Sequence, residues 1–364
     1  MHIESLECKN FRNYRALTLA FSPGINILYG DNAQGKTNLL EAIRLAGTTR
    51  SHRMARDAEM ITFGEAEAHL RLQLRGNGGA RRIDMHLRRS GPKGIAIDGV
   101  PIRKASELMG TLHTCLFSPE DLAIVKSGPK ERRRFLDAEL CQLSGRYFAE
   151  LSAYNKVVLQ RNALLKEFSR RRDMADTLEI WDEQLLAHGL PLLAARRGFL
   201  AELSELAAGQ HAQLSGEKEA LQLAYEPDVD EEHFAAELAA NRARDLALRT
   251  TTTGPHRDDI GVRVNDIDLR RFGSQGQQRT AALSLKLAEI ALVRQRTGEK
   301  PVLLLDDVFS ELDAHRQELL LSNVSGTQTF ITCTGVEGLL EKFPQAAKYR
   351  IKEGKANNGG GDLC

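Results

Sequence analysis

Gly30-Asp31-Asn32-Ala33-Gln34-Gly35-Lys36-Thr37 fits the phosphate-loop pattern G-x-x-x-x-G-K-[ST]. The apolar run Ile25-Asn26-Ile27-Leu28-Tyr29 precedes it and the amphipathic run from Asn38 to Ala46 follows, so the pattern sits between an expected strand and an expected helix. Gly30 and Gly35 let the backbone curl until successive N–H groups and the positive end of the helix surround a phosphate. In that arrangement Lys36 reaches the β and γ phosphates of a nucleotide and the Thr37 hydroxyl takes Mg²⁺. All eight residues, with Asp31, Asn32, Ala33 and Gln34 supplying backbone, are candidate nucleotide contacts.

A second element lies far downstream. Val302-Leu303-Leu304-Leu305 is closed by Asp306-Asp307, the pattern of a buried parallel strand that carries carboxylates to its C-terminal edge, where α/β sheets bind ligands. Asp306 is suited to hold Mg²⁺ together with Thr37, and Asp307 to polarise an attacking water. Lys36, Asp306 and Asp307 are therefore the catalytic candidates. Between the two elements, Ser274-Gln275-Gly276-Gln277 opens a helical run from Arg279 to Arg296. A Ser and a Gly at a helix start make another phosphate-binding terminus, although the first loop already has its own lysine. Two such sites make sense when a nucleotide is shared between two subunits, which adds Ser274, Gly276 and Gln277 to the binding candidates.

The totals bound the class. A chain of 364 residues predicts two or three domains, and 27% charged with 42% apolar residues describes a soluble globular protein rather than a disordered one. No apolar run is long enough to span a membrane and the N-terminus lacks the layout of a signal peptide, so a cytoplasmic location is expected. Cys8, Cys115, Cys141, Cys333 and Cys364 are far apart with no Cys-x-x-Cys pair, which indicates reduced packing cysteines and neither a zinc site nor a disulfide framework. The net charge is +1, yet basic residues cluster at Arg50, Arg53 and Arg56, at Arg81 to Lys93, at Lys126 to Arg134 and at Arg170, Arg171 and Arg172. Each cluster by itself is ordinarily a solvated face, and together they allow a basic surface for a polyanion.

Along the chain, Ile3 to Phe11, Ala16 to Phe21 and Ile25 to Tyr29 read as short strands separated by turn signals, while Ala68 to Leu74, Arg82 to Arg88 and Gly94 to Ile97, after the phosphate-loop helix, read as an antiparallel sheet layered onto the nucleotide core. From Pro119 the period changes. Leu136, Leu140, Leu143, Tyr147, Leu151, Tyr154, Val158 and Leu165 predict one long helix, and Leu178 to Leu206 predict a second that Pro191 should kink or break. The polar run from Ser169 to Asp176 would be the tip of an antiparallel helical pair. Strands return at Ile260 to Val264 with a turn at Asn265-Asp266, and the tail from Lys355 to Gly361 reads as frayed.

With these elements in hand, the chain resembles the ABC-type ATPases. Gly273 to Gln277 is similar to their signature motif, with Gln275 where the family usually carries glycine, and Ser310-Glu311-Leu312-Asp313 resembles their dimer-facing loop. Lys9-Asn10-Phe11-Arg12-Asn13-Tyr14 is similar to the opening of the RecF and SMC-like branch. Gly254-Pro255-His256-Arg257-Asp258-Asp259, Phe117 to Leu122 and Arg132 to Asp137 resemble blocks of the RecF family. The resemblance implies an α/β fold: an ABC-type P-loop ATPase head with an antiparallel β subdomain and an inserted helical arm. Its parts would be 1–115 for the first half of the head, 116–249 for the arm and 250–364 for the second half.

The same resemblance implies ATP and Mg²⁺ as cofactors and a homodimer that closes on ATP around single-stranded or gapped duplex DNA and reopens on slow hydrolysis. It also implies RecO and RecR as partners in recombinase loading during recombinational repair, replication restart and SOS induction, with no membrane partner. Two departures bear on hydrolysis: no glutamine loop is identifiable in the Ser118 to Asp121 region, and Phe330-Ile331-Thr332-Cys333-Thr334 carries no switch histidine. Asp307 also stands where many relatives have glutamate. The alternative from another class is the ATPase subunit of an ABC transporter, against which the long helical insertion argues.

Overall fold

The computed structural model describes residues 1–53, 55–167, 175–310, 312–335 and 342–358. Arg170 to Arg172, most of the Ser169 to Asp176 run, Glu311 and the end of the tail lie outside the described residues. The chain folds as two compact units, one joining residues 1–121 to residue 289 onward and the other spanning Leu122–Ala288.

The first unit holds two sheets. Strands β1 (His2–Phe11), β2 (Tyr14–Ala20), β4 (Glu67–Gly76), β5 (Gly79–Arg88), β6 (Gly94–Ile97) and β7 (Val100–Pro101) form an antiparallel sheet ordered β2-β1-β4-β5-β6-β7. Its strands alternate as a half-buried sheet must: Ala68, Leu70, Leu72 and Leu74 of β4 are buried while Glu67, Arg71, Gln73 and Arg75 on the opposite face are exposed. The other sheet contains β3 (Ile25–Tyr29), β8 (Thr114–Phe117), β12 (Val302–Asp306), β13 (Thr329–Cys333), β14 (Ala347–Lys352) and β15 (Lys355–Asn358) in the order β15-β14-β3-β13-β12-β8. All its pairings are parallel except the β14–β15 hairpin.

Strands β12 and β13 are buried along their whole length; β12 reads as an apolar run up to Asp306, and β13 intersperses Thr329 and Thr332 among Phe330, Ile331 and Cys333. Helix α1 (Lys36–Thr48) touches strands of both sheets, and its Leu39, Leu40 and Ile43 share one core with Leu6, Leu72, Leu304 and Phe330. Helix α10 (Ala314–Val324) makes the crossover from β12 to β13.

The second unit is mainly helical: α2 (Leu122–Lys126), α3 (Pro129–Leu143), α4 (Gly145–Glu167), α5 (Ala175–Ser215), α6 (Phe234–Ala240), α7 (Arg242–Leu248) and α8 (Leu269–Phe272). It also holds a small antiparallel sheet of β9 (Leu221–Glu226), β10 (Asp259–Val264) and β11 (Ile267–Asp268), with the β10–β11 turn at Asn265 and Asp266, both at positive φ. Helix α9 (Gln275–Thr297) begins in this unit and ends in the other.

Three expectations need correction. The stripe from Leu136 to Leu165 is two helices, because Ser144 adopts an extended conformation between α3 and α4; Leu136, Leu140, Tyr147, Leu151 and Tyr154 remain buried on both sides of the break. Pro191 lies inside α5 without breaking it; Arg196 downstream and Asp182 upstream anchor the helix through buried ion pairs. The tail is not frayed from Lys355, since Lys355–Asn358 pair with β14 as strand β15. The compact units divide after Asp121 and Ala288. The reason is pairing: β10 is zipped to β9 from Asp259–Glu226 to Val264–Leu221, and Arg132 of α3 grips Asp259 with two bonds of 2.6 and 2.8 Å. Helices α4 and α5 run antiparallel, as the partners Arg161–Asp182, Glu150–His188 and Tyr147–Arg196 show.

His256 gives this unit a pH dependence. Its Nδ1 meets the Tyr154 hydroxyl at 2.8 Å and its Nε2 the Thr251 carbonyl at 3.1 Å, a pattern that suits neutral imidazole with the proton on Nε2. Burial holds its pKa down to about 4, against 6.5 for the exposed ring. Between those values the unfolded chain binds the extra proton, so stability contributed by the neutral ring is present above pH 6.5 and lost as pH falls toward 4. Urea unfolding monitored across that window should show a loss that His256→Gln reduces; an unchanged pH slope in the variant would assign the effect elsewhere.

Candidate functional site

The loop after β3 is shaped by two glycines. At Gly30, φ is 147° and a Cβ would lie 2.2 Å from the Ile351 carbonyl oxygen; at Gly35, φ is 116° and a Cβ would fall 2.6 Å from the Asn13 amide and 2.9 Å from the Tyr14 hydroxyl. A side chain at Gly30 would displace backbone and one at Gly35 would push the Asn13 and Tyr14 side chains off the loop, and both positive φ angles are strained for any other residue. The turn between β1 and β2 then pins the loop: the Tyr14 hydroxyl donates to the Gly35 carbonyl at 2.9 Å and Asn13 Nδ2 to the Gln34 carbonyl at 2.8 Å. From the β14–β15 turn, the Glu353 N–H donates to Gln34 Oε1 at 2.7 Å. Lys36 Nζ donates to the carbonyls of Gly30 and Asp31 at 2.6 and 2.8 Å. Burial lowers its pKa, and the charges of Asp307, Cys333, Asp306 and Asp31 act against that.

Thr37 and Asp306, 269 residues apart, are joined: Thr37 Oγ1 donates to Asp306 Oδ1 at 2.9 Å. Thr332, at the adjoining end of β13, donates to the same oxygen at 2.7 Å and accepts the Asp307 N–H at 2.9 Å. Burial pushes the Asp306 pKa up, Glu120 and Asp307 add to the rise, and the two threonine hydroxyls oppose it. Asp307 sits at φ 55°, a left-handed conformation that turns the chain out of β12 immediately after Asp306.

Arg12 braces α1. It donates twice to the fully buried Glu41 at 2.7 Å and once to the Glu59 carbonyl at 2.9 Å, while the Ser51 hydroxyl makes a short bond to Glu41. Burial alone would raise the Glu41 pKa, but the Arg12 and Ser51 hydrogen bonds prevail and hold it below the usual carboxylate value.

Arg12, Lys36, Thr37, Asp306, Asp307 and Thr332 line one open cleft of 880 Å³, together with Arg53, Arg89 and the 96% exposed ring of Phe63. A triphosphate with its divalent cation suits the donor set. Lys36, Arg53 and Arg89 supply positive charge, and a hydroxyl and a carboxylate already in contact are oxygen ligands for a hard cation. Asp31, Asn32, Ala33 and Gln34 form the turn of the loop.

Ser274, Gly276 and Gln277 belong to the other unit, at the start of α9. Ser274 Oγ accepts the Gln277 N–H at 3.2 Å and Gln277 Oε1 accepts the Ser274 N–H at 3.1 Å, a reciprocal helix cap. Gln277 also donates to Glu219 at 2.8 Å, and Ser274, Gln275 and Gly276 are exposed. Sequence patterns did not mark Thr332 or Glu41 as site residues, and Arg12, Asn13 and Tyr14 were visible only as part of a family block. Thr332→Val keeps the shape and deletes both bonds. It should lower unfolding stability by about 1–3 kcal/mol in urea titration, and an unchanged midpoint would remove Thr332 from the support of Asp306.

A family model described as RecF/RecN/SMC N terminal domain matches residues 2–357. A DNA replication and repair protein RecF from Agathobacter rectalis is 54% identical over 356 residues, 98% of each chain. Its counterpart from Lachnoclostridium phytofermentans is 51% identical over 360 residues, 99% of this chain and all of that one. Among solved structures, the recombination mediator protein RecF-ATPrS in the RecFOR pathway is similar at a TM-score of 0.92 and 35% identity, covering 99% of this chain and 98% of that one. An SMC head bound to the C-winged helix domain of ScpA is similar in fold alone, at 15% identity and a TM-score of 0.58 over 98% of this chain and 96% of that one. The fold is thus the α/β ABC-type ATPase head, as the sequence motifs implied. Matched from end to end by relatives that share half its residues, the chain belongs to the RecF family within the wider RecF/RecN/SMC group.

Proposed function

We propose that the chain is an ATP-dependent DNA-binding protein of recombinational repair and replication restart. The observation that carries the reading is the Thr37–Asp306 contact at 2.9 Å in a cleft lined by Lys36 and Asp307. Relatives named for DNA replication and repair, and RecF structures with ATP in the RecFOR pathway, support the same assignment. RecO and RecR are the partners in this reading, and a supporting role in SOS induction goes with it. Among the described residues no helix is long and apolar enough to cross a membrane, and the cytoplasm is the compartment proposed. The transporter-subunit alternative finds no support among the relatives that match the chain end to end.

In this reading Gly30 to Thr37 hold the phosphates of ATP, and Thr37 with Asp306 hold Mg²⁺, which supplies neutralisation of the phosphate charge. Lys36 exchanges its loop carbonyls for phosphate oxygens, and so links loop closure to occupancy. Asp307 is the carboxylate to orient and deprotonate water. Thr332 and Thr334 line the cleft where relatives in the wider ATPase class carry a switch histidine, and a hydroxyl is a poor proton acceptor, which fits slow hydrolysis. The capped, exposed start of α9 presents Ser274, Gly276 and Gln277 to the nucleotide of a second subunit. Nucleotide then acts as the glue of a dimer, because its higher affinity for the closed pair sets that population.

Arg132 is not a DNA contact in this scheme. Its side chain is 3% exposed and committed to Asp259. Arg50 and Arg56 are exposed and, unlike Arg53, do not line the nucleotide cleft; they are the basic residues proposed to meet backbone phosphates in a salt-sensitive manner.

Sedimentation with and without Mg-ATP, each with and without a gapped duplex at two salt concentrations, tests the model. A monomer that dimerises on ATP and then retains DNA is the expected outcome, and Lys36→Met should abolish the association. Indifference of the wild-type chain to ATP would sink the shared-nucleotide reading. Ser274→Arg should leave ATP binding by the monomer intact while blocking dimerisation; loss of binding in the monomer would mean that the start of α9 has another task. Arg50→Glu with Arg56→Glu should weaken DNA binding and reduce its salt slope, and an unaltered slope would acquit that cluster.

A further inference from the structure

On the solvent face of the antiparallel sheet, Glu67, His69 and His86 converge. His69 of β4 and His86 of β5 are directly opposite each other in the register, with rings stacked at 4.2 Å between centroids and 19° between planes. Both Nε2 atoms face one carboxylate: His69 Nε2 is 3.3 Å from Glu67 Oε1 and His86 Nε2 is 2.7 Å from Glu67 Oε2. The three potential ligand atoms all lie within 4.8 Å of one another. The rest of this face behaves as an ordinary ion-pair ladder, with Arg71 directly opposite Asp84 and bonded to it at 2.6 Å. At the neighbouring position the ladder instead opposes two imidazoles, which would repel if both were charged. Two neutral imidazoles and a carboxylate brought to one point form a donor set for a borderline-soft divalent ion.

The geometry points to a surface site for Zn²⁺ or a similar first-row transition ion, held by His69 Nε2, His86 Nε2 and Glu67, and separate from the Thr37–Asp306 pair. Ligand atoms of a tetrahedral zinc site stand about 3.3 Å apart. The present separations reach that value by small rotations of side chains that are 26–52% exposed. Gly94 pairs with His86 on its other side and leaves room beside the ring. His69 and His86 also line a 630 Å³ groove along this sheet face, so the remaining coordination position is open to water or to an anionic group. One adjustment accompanies binding. Arg88 approaches His86 Nδ1 at 3.3 Å, and a neutral imidazole that gives Nε2 to the metal carries its proton on Nδ1, so Arg88 must swing away.

Zinc titration of the full chain by calorimetry, with millimolar Mg²⁺ present so that hard-cation sites are occupied, tests the site. The wild-type chain should bind a single Zn²⁺, and Co²⁺ should give visible d–d bands at the same stoichiometry. Loss of an outer-shell partner costs about 10–100-fold in metal affinity, so His69→Ala and His86→Ala should each lose at least tenfold and bleach the cobalt bands. Glu67→Gln, which preserves shape, should weaken binding as well. Absence of zinc binding by the wild-type chain, or a His69→Ala/His86→Ala chain that binds with wild-type affinity and spectrum, would overturn the assignment. Circular dichroism of each variant establishes that it is folded before its titration is read.

Discussion

A single buried carboxylate organises the first unit. Asp306 ends a strand that is buried along its whole length, and removing a carboxylate from water is costly unless hydrogen bonds replace the lost hydration. Two threonines supply them, Thr37 from the start of α1 and Thr332 from the end of β13, so three segments distant in sequence are fixed at one point. The opposed effects on the Asp306 pKa, burial raising it and the two hydroxyls lowering it, express that balance. A group held this way is pre-positioned to exchange a hydroxyl partner for a cation with little rearrangement of backbone.

The second unit rests on a related device with the opposite charge. Arg161 is fully buried and bonded to Asp182, Asp245 and Thr251; Arg196 is 2% exposed and bonded to Asp258, Asp137, Tyr147 and the Pro255 carbonyl. These guanidinium forks tie the long α5 and its partner α4 to the segment 245–258 that leads into β10. Breaking such a pair from one side strands an uncompensated charge, whereas the intact network chiefly specifies which helices and turns must meet. Basic residues that look like surface charge in sequence, Arg132 among them, are here internal fasteners.

The walls of the cleft are built from turns rather than from the central sheet. Arg12, Asn13 and Tyr14 come from the β1–β2 turn and Glu353 from the β14–β15 turn, and both turns grip the loop from Gly30 to Lys36. Loops placed by rigid strands are where binding groups are commonly found. Here the strands deliver the turns and the turns deliver the side chains.

Local physics made much of this legible in the chain itself. The phosphate-loop spacing, the apolar run ending in Asp306-Asp307, the alternation in β4 and the Asn265-Asp266 turn all follow from neighbours within a few residues, whereas the fold class came from the resemblance of these motifs to the ABC-type ATPases. The helix start at Ser274 was equally legible, although its reciprocal cap with Gln277 appears only in the structure. What the sequence left open depended on partners far along the chain. Thr332 matters only because β13 lies beside β12; Arg132 is internal only because β10 pairs with β9 and brings Asp259 to it. Pro191 does not break its helix because buried ion pairs on either side hold α5 together. His69 and His86 are unremarkable until the β4–β5 register sets them face to face over Glu67. Periodicity records which face of an element is buried, and only tertiary pairing decides what that face meets.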